Sequence, residues 1–165
     1  MPITITAADL DASETLSTAL LALNNDYAVE LSWAEASHLR HLVYQAFFAA
    51  RIGNADAMLI AFDQDADYRG TNFLWFRDRN PAFVYVDRVV TAAAARGRGH
   101  ARTLYRSLID RAREAGHDRI VCEVNSDPPN PASDAFHCSL GFVPVGSAVL
   151  GNGKTVSYLS LSLAR

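Results

Sequence analysis

FVYVDRVVTAAAARGRGHA, residues 83–101, is the stretch of sequence that decides the fold of this chain. Its first part is largely apolar and β-branched, which predicts a strand over residues 83–91. Two glycines then predict a turn that opens a helix over about residues 98–115, closed by Gly116. Unpaired N–H groups at a helix N-terminus face outward, and the helix dipole favours negative charge there. The stretch therefore predicts a turn that can hold a phosphate.

The composition is typical of one compact domain. The chain has 165 residues, of which 50% are hydrophobic and 20% are charged, and this length suits a single core. Its 15 basic residues against 18 acidic ones argue against a broad nucleic-acid-binding surface. Any anion that the chain binds is therefore expected to be held locally.

The two cysteines, Cys122 and Cys138, are expected to be free thiols. Their spacing matches no metal-ligand pattern, and the chain lacks the cysteine density of a secreted disulfide scaffold. The N-terminus has no basic start followed by an apolar run, and no apolar segment approaches membrane-spanning length. We therefore expect a cytoplasmic protein with no metal, membrane or nucleic-acid partner.

The first part of the chain predicts a short strand and two amphipathic helices. The strand covers residues 4–7, and Asp9 or Asp11 is expected to cap a helix whose leucines lie on one stripe. Ser32 is expected to cap the second helix, with Glu35 as its capping-box partner.

An antiparallel hairpin and a long loop are predicted next. The hairpin strands cover residues 47–52 and 57–62. Residues 63–81 begin polar and then become rich in aromatic side chains. A loop of this length either has a function or is disordered. Its aromatics favour a function, but a satellite patch of core explains them equally well.

A strand–helix–strand unit occupies the middle of the second half. A strand over residues 120–125 follows the glycine-turn helix, so it is expected to lie parallel to the strand at 83–91. The remaining predicted elements are a rigid turn at 127–131, a helix at 133–140 closed by Gly141, and a hairpin over 142–163.

Three interpretations compete for the glycine turn. A dinucleotide-binding fold places such a turn after its first strand, whereas here it lies past the middle of the chain. A Walker loop could end at residues 153–155, but Ala148 stands where its first glycine is required. The third interpretation is a turn that serves backbone geometry alone, and the surrounding elements argue against it.

The turn, read as RGRGHA at residues 96–101, resembles a motif of the GNAT superfamily of acyl-CoA-dependent N-acetyltransferases. That motif is Arg or Gln, two variable residues, Gly, one variable residue, then Gly or Ala. The order of predicted elements is also similar over nearly the whole chain. The resemblance implies an α/β (α+β) single-domain fold, in which helices flank a mixed, splayed sheet of about six to seven strands; it implies about four helices.

The resemblance further implies that acetyl-CoA is the co-substrate. Its pyrophosphate is expected on the amides of the turn, with two arginines nearby, and its pantetheine arm is expected to pair with the adjacent strand. The thioester is expected in the cleft between the two parallel strands, polarised by a strand amide. The implied cofactor-binding residues are Val89, Val90, Thr91, Arg96, Gly97, Arg98, Gly99, His100, Ala101, Arg102, Asn125 and Asn130.

A second family signature departs from the pattern at one position. The family has an Asn, a Tyr seven residues later and Gly-Phe four residues beyond that Tyr. Here Asn130 and Gly141-Phe142 match, but His137 stands at the tyrosine position. In many relatives this tyrosine protonates the leaving thiolate, so His137 is a candidate general acid, a sulfur ligand or a space-filling side chain. Cys138 is expected to be a small buried side chain.

Acetyl transfer to an amine also needs a base. Glu123 and Asp87, in the two strands beside the expected cleft, are the candidates, and Glu30 is a third. A charge within a strand can also be paired locally, as Asp87 could be with Arg88. The resemblance implies direct transfer in a ternary complex, without a covalent enzyme intermediate.

The acceptor pocket is expected to be partly apolar and able to form hydrogen bonds. The family layout places Asn25, Glu30, Phe73 and Trp75 around it, together with Tyr68, Phe76 and Asn24. These residues allow a primary amine of a small molecule or a peptide as acceptor. The family also suggests a possible homodimer.

Two other functions remain open at this point. A non-catalytic acyl-CoA-binding or sensing domain is the main alternative, because the tyrosine is missing and the base is not fixed. A structural domain that has lost cofactor binding is the weaker one, because the glycine turn is intact.

Overall fold

The computed structural model describes residues 1–27 and 34–164. Strands and helices alternate along most of the described chain. In order they are β1 (Ile3–Thr4), α1 (Ala7–Ala12), α2 (Glu14–Asn25), α3 (Ala36–Gln45), β2 (Phe48–Ile52), β3 (Ala57–Asp63), α4 (Thr71–Arg77), β4 (Val84–Thr91), a 3-10 turn (Ala93–Ala95), α5 (His100–Glu114), β5 (Arg119–Asp127), α6 (Pro131–Leu140), β6 (Val143–Val149) and β7 (Thr155–Ser162).

The described strands form a single mixed sheet in the order β1-β2-β3-β4-β5-β7-β6. Neighbouring strands are antiparallel except at the centre, where β4 and β5 are parallel. That central pairing covers only Val84 with Ile120 and Tyr85 with Val121. Beyond these residues the two strands have no ladder pairing, as the family resemblance implied, and they leave a cleft in the middle of the sheet.

Each face of the sheet carries its own core because side chains alternate along a strand. In β4, Tyr85 packs on one face with Leu20 of α2 and Leu39 of α3. Val84 and Val86 pack on the other face, against the buried side of α5 at Leu104 and Leu108. The mixed α/β fold with a seven-stranded sheet therefore agrees with the sequence prediction.

The N-terminal helices begin at other residues than predicted. Thr6 caps α1 in a capping box with Asp9, and Ser13 caps α2 through a hydrogen bond from the amide of Leu16. The single predicted helix is therefore two, because Ser13 interrupts it with extended backbone. Helix α3 begins after Glu35, and Ser32 lies outside the described residues.

The interpretation of residues 63–81 as one long loop is wrong, because Thr71–Arg77 forms helix α4. Phe73 and Phe76 are fully buried from this helix. The ring of Phe73 packs within 5.7 Å, centroid to centroid, of the rings of Tyr68, Phe83 and Tyr85. With α4 counted and the first helix divided, the described chain has six α-helices rather than about four.

The glycine-turn helix is present as predicted and begins at His100. Gly97 and Gly99 have φ values of 80° and 75°, a region that glycine enters without steric cost. Gly116 closes the helix with φ 84°. The turn is therefore built by the two glycines that the sequence singled out.

Phe73→Ala is expected to lower the free energy of unfolding by about 3–4 kcal/mol, because it leaves a cavity among packed aromatic rings. Chemical denaturation measures this change. The control is Tyr44→Ala, since Tyr44 is 69% exposed, and its effect should stay within about 0.5 kcal/mol. Unchanged stability in the Phe73 variant would contradict the placement of α4 in the core.

Candidate active site

The cleft between β4 and β5 contains a cavity of about 140 Å³. Residues of both strands line it, and His137 and Ser133 of α6 and Tyr105 of α5 close it. Because β4 has no ladder partner in β5 beyond Tyr85, the backbone on this edge of β4 is available to a ligand. The cavity adjoins the helix that the glycine turn opens.

A second cavity, of about 380 Å³, lies on the other side of the same strands. It is lined by the start of α4, by Tyr68 and Tyr85, and by residues of the β6–β7 hairpin. Four residues line both cavities: Asp87, Arg88, Glu123 and Asn125. A group bound in one cavity therefore meets a group bound in the other at these side chains.

A larger cavity of about 570 Å³ lies near the C-terminal half of α5 and the β1–α1 junction. It is at the opposite end of α5 from the glycine turn, and it shares no lining residue with the two cavities of the cleft. We therefore place the candidate site at the two smaller cavities.

Glu123 lies between the two cavities and is held by two neutral donors. The hydroxyl of Tyr85 donates to both carboxylate oxygens, at 2.8 and 3.0 Å, and Asn72 Nδ2 donates to Oε1 at 3.1 Å. Burial raises the pKa of Glu123 to about 7, against the lowering effect of these hydrogen bonds. A carboxyl group with this pKa can take up and release a proton near neutral pH.

Asp87, the second candidate base, is already paired. Its carboxylate accepts from Arg88 Nε at 2.7 Å and from the hydroxyl of Tyr68 at 2.8 Å. The Asp87 and Arg88 side chains are 4% and 5% exposed, and Arg88 also donates to Asn24 Oδ1 at 2.6 Å. Asp87 therefore serves as the counter-ion of Arg88, which is the local pairing that the sequence left open.

His137 lines the cleft cavity, with both ring nitrogens in hydrogen bonds. Nδ1 lies 2.7 Å from the carbonyl oxygen of Ser133, which can only accept, so Nδ1 carries the proton. Nε2 then accepts from the hydroxyl of Tyr105 at 2.7 Å. Burial lowers the pKa of His137, which favours the neutral ring, and the Nδ1 proton is already donated to the Ser133 carbonyl.

The glycine turn presents the N-terminus of α5 between two arginines. The N–H groups of the first helical turn have no intrahelical acceptor, and an added Cβ at Gly97 or Gly99 would meet nothing within 4 Å. Arg96 donates to the hydroxyl of Tyr27 at 2.7 Å, and Arg102 donates to Ser139 at 2.8 Å. Each guanidinium group beside the turn is therefore hydrogen-bonded to a side chain of another element.

Among the other cofactor-binding residues predicted from sequence, Val89, Asn125 and Asn130 line the cleft cavity. Val89, Val90 and Thr91 form the end of β4, and Asn125 lines both cavities. Asn130 caps α6 through a hydrogen bond from the amide of Ser133. Arg98, His100 and Ala101 belong to the turn and the first residues of α5.

Three of the four predicted acceptor residues require correction or lie outside the described chain. Phe73 is fully buried, so its ring does not line the pocket. Trp75 stacks on Tyr158 at 4.0 Å and lines a separate groove beside Arg79. Glu30 is not among the described residues.

The fourth predicted acceptor residue, Asn25, holds the backbone of Ala34 through hydrogen bonds of 2.9 and 3.0 Å. Its side-chain amide is therefore used to join the end of α2 to the residue before α3. Cys138 is exposed, so the expectation that it is buried is wrong. Cys122 is buried, and both thiols are free.

Sequence reasoning did not single out Asn72 or Tyr158, which complete the surroundings of Glu123. Asn72 donates to Glu123, and the hydroxyl of Tyr158 donates to Asn72 Oδ1 at 2.9 Å. Asn72 lies in the helix that was taken for a loop. The one sequence signal that could have identified Asn72 is its position immediately before the aromatic-rich residues 73–76.

The described residues lack two further features, a membrane-spanning helix and a metal-binding cluster. None of their helices is long and apolar enough to cross a bilayer. They also contain no cluster of three or more His, Cys, Asp or Glu side chains suited to a metal ion.

Comparisons with known proteins agree with this geometry. A family model described as "Acetyltransferase (GNAT) family" matches residues 20–142. A search of curated protein sequences finds no significant match.

Solved structures have the same fold at low sequence identity. Ribosomal-protein-alanine N-acetyltransferase from Brucella melitensis is 22% identical with a TM-score of 0.66, and the match covers 98% of this chain and 99% of that one. Ard1 from Thermoplasma volcanium is 10% identical with a TM-score of 0.73, covering 100% and 98%. An aminoglycoside 6'-N-acetyltransferase complexed with coenzyme A is 11% identical with a TM-score of 0.72, also covering 100% and 98%.

Asp87→Ala is expected to lower the free energy of unfolding by about 3–5 kcal/mol, because it leaves the Arg88 guanidinium buried without its counter-ion. Urea denaturation measures the loss. The matched control is Asp11→Ala, which breaks the exposed pair with Arg40 and should hardly move the denaturation midpoint. A double variant, Asp87→Ala with Arg88→Met, should recover part of the lost stability. Equal effects at Asp87 and Asp11 would contradict the buried pair.

Proposed function

Because this chain belongs to the GNAT acetyltransferase family, we propose that it transfers an acetyl group from acetyl-CoA to a primary amine of a small molecule or peptide. Direct transfer in a ternary complex is the mechanism that we propose. The observation that carries the proposal is the position of Glu123, which lines both the cleft cavity and the neighbouring cavity. Its carboxylate can then accept a proton from an amine in the 380 Å³ cavity while the thioester lies in the cleft cavity.

The residues of the glycine turn suit the pyrophosphate of acetyl-CoA. Open space around Gly97 and Gly99 allows a phosphate to approach the backbone closely. The amides of His100, Ala101 and Arg102 would donate to it, with the helix dipole adding to the attraction. The free edge of β4 at Val89–Thr91 would bind the pantetheine arm, because peptide-like groups can extend a sheet there. Acetyl-CoA itself supplies the activated acetyl group.

Glu123 is proposed as the general base. As a carboxylate it would accept a proton from the bound ammonium group and leave an amine with a free electron pair. The amine nitrogen then forms the bond to the acetyl carbon and the C–S bond breaks. The nitrogen gives up one further proton and the thiolate takes up one proton, so the charges balance. We assign this role to Glu123 rather than to Asp87 because Asp87 is paired with Arg88.

The arrangement at position 137 supports a positioning role for His137. Its neutral ring accepts from Tyr105 and donates to the Ser133 carbonyl, so direct proton donation would break a buried hydrogen bond. We therefore propose that His137 fixes the Tyr105 hydroxyl at the wall of the cleft. In this proposal the thiolate does not take its proton from the imidazole of His137.

Gly99→Ala is expected to weaken acetyl-CoA binding at least about tenfold, because the added methyl group lies where the backbone meets the phosphate. Calorimetry at fixed salt concentration measures the affinity. The matched control is Gly116→Ala at the other end of the same helix, where φ is similarly positive and the surroundings are similarly open. It should cost similar stability and leave affinity unchanged. Equal losses in the two variants would count against the turn as the phosphate site.

A thiol-release assay with acetyl-CoA and a panel of amines tests the proposed reaction. kcat/KM is expected to rise with pH through about 7, because Glu123 must be ionised to act as the base. Glu123→Gln should lower kcat by about 100-fold or more near neutral pH while keeping acetyl-CoA affinity. Tight acetyl-CoA binding without turnover for any amine would favour the sensing domain instead, and failure to bind any acyl-CoA would overturn both.

A further inference from the structure

The carboxylate of Glu123 belongs to a hydrogen-bonded chain that begins on β7. The Tyr158 hydroxyl donates to Asn72 Oδ1 at 2.9 Å, and Asn72 Nδ2 donates to Glu123 Oε1 at 3.1 Å. An amide oxygen only accepts and an amide nitrogen only donates. The bond from Tyr158 therefore satisfies the amide oxygen of Asn72 while the amide nitrogen faces the carboxylate, which can only accept.

The surrounding rings hold this chain in place. Tyr158 is fully buried, and its ring stacks on Trp75 at 4.0 Å and 19° and meets Phe76 edge-on at 5.2 Å. Trp75 and Phe76 belong to α4, the same helix that carries Asn72. The contacts that dock α4 against β7 are therefore the contacts that set the Asn72–Tyr158 bond.

We propose that Asn72 is a positioning residue, oriented by Tyr158, that holds Glu123 as the carboxylate facing both cavities. This inference rests on the proposed function for its kinetic consequence but not for its geometry. A donor to the carboxylate favours the ionised form. If Tyr158 releases the amide, its oxygen can turn toward Glu123 and favour the protonated form instead.

Other groups around Glu123 also affect its pKa. Tyr85 donates to it directly, Asp87 disfavours its charge, and Arg88 lines the same two cavities. Asn72 is the amide donor among them, and its amide oxygen accepts from Tyr158. The titratable or charged groups that interact with Glu123 or line a cavity with it, among the described residues, are Tyr68, Tyr85, Asp87, Arg88, Tyr105, Cys122, His137, Tyr158, His38 and Lys154.

The test is the titration of Glu123 itself, followed by the δ-carbon resonance in protein labelled with ¹³C-glutamate and assigned by its loss in Glu123→Gln. Asn72→Ala is expected to raise the midpoint by about one pH unit, since a hydrogen bond to a charged group is lost. Isosteric Asn72→Asp should raise it further, because a like charge replaces the donor. Tyr158→Phe, which keeps the ring stack, should raise it by about half a unit.

The same variants should move the low-pH limb of kcat/KM upward in the same order. A merely structural loss of packing would lower activity at every pH without moving this limb. Tyr44→Phe removes a hydroxyl from an exposed tyrosine and serves as the matched control, with no expected shift. Circular dichroism checks that each variant is folded.

The outcomes separate this inference from the proposed function. A midpoint that moves in Tyr158→Phe and in Asn72→Ala supports the positioning role, even if no amine is turned over. A midpoint that moves in neither folded variant overturns it, even if the wild-type protein is an active acetyltransferase. Tyr158→Phe is a conservative change. If the Asn72 variants fail to fold, the midpoint of Glu123 in Tyr158→Phe alone supports or overturns the positioning role.

Discussion

Parallel pairing between β4 and β5 stops after two residues in each strand, and the rest of the site depends on where it stops. Had the ladder continued, Val86 onward would be paired and the centre of the sheet would be closed. Because it ends at Tyr85 and Val121, the next side chains of both strands meet across open space. Glu123 lies two residues beyond that last pair, so the divergence of the strands brings a carboxyl group to the junction of two cavities.

That position creates a balance between burial and hydrogen bonding. Burial favours the neutral carboxyl group, whereas Tyr85 and Asn72 favour the carboxylate. The result is a pKa of about 7, at which both forms are populated near neutral pH. Asp87 has a guanidinium group as its partner, whereas Glu123 accepts from the neutral side chains of Tyr85 and Asn72. The two acids on neighbouring strands therefore differ in the charge of their hydrogen-bond partners.

The sequence was sufficient for most of the strands and for the glycine turn with its helix, because periodicity and glycine positions are local signals. Helix α4 was missed because seven residues rich in buried aromatics have no amphipathic pattern. The choice between Glu123 and Asp87 was also beyond the sequence. It depends on Tyr85 and Asn72, which are 38 and 51 positions away from Glu123, and on Arg88, which neighbours Asp87 but could equally have faced solvent.

His137 stands where the family signature has a tyrosine, and it is hydrogen-bonded to Tyr105 of a neighbouring helix. An imidazole is shorter than a phenol. The imidazole of His137 is hydrogen-bonded to the hydroxyl of Tyr105, and Tyr105 lines the cleft cavity. Tyr105 lies on α5, the helix that begins at the glycine turn, whereas His137 lies on α6. The bond between them therefore joins the helix that follows the glycine turn to α6 at the cleft cavity. The hydroxyl group bonded to His137 is therefore supplied by Tyr105, from a second helix that lines the same cavity.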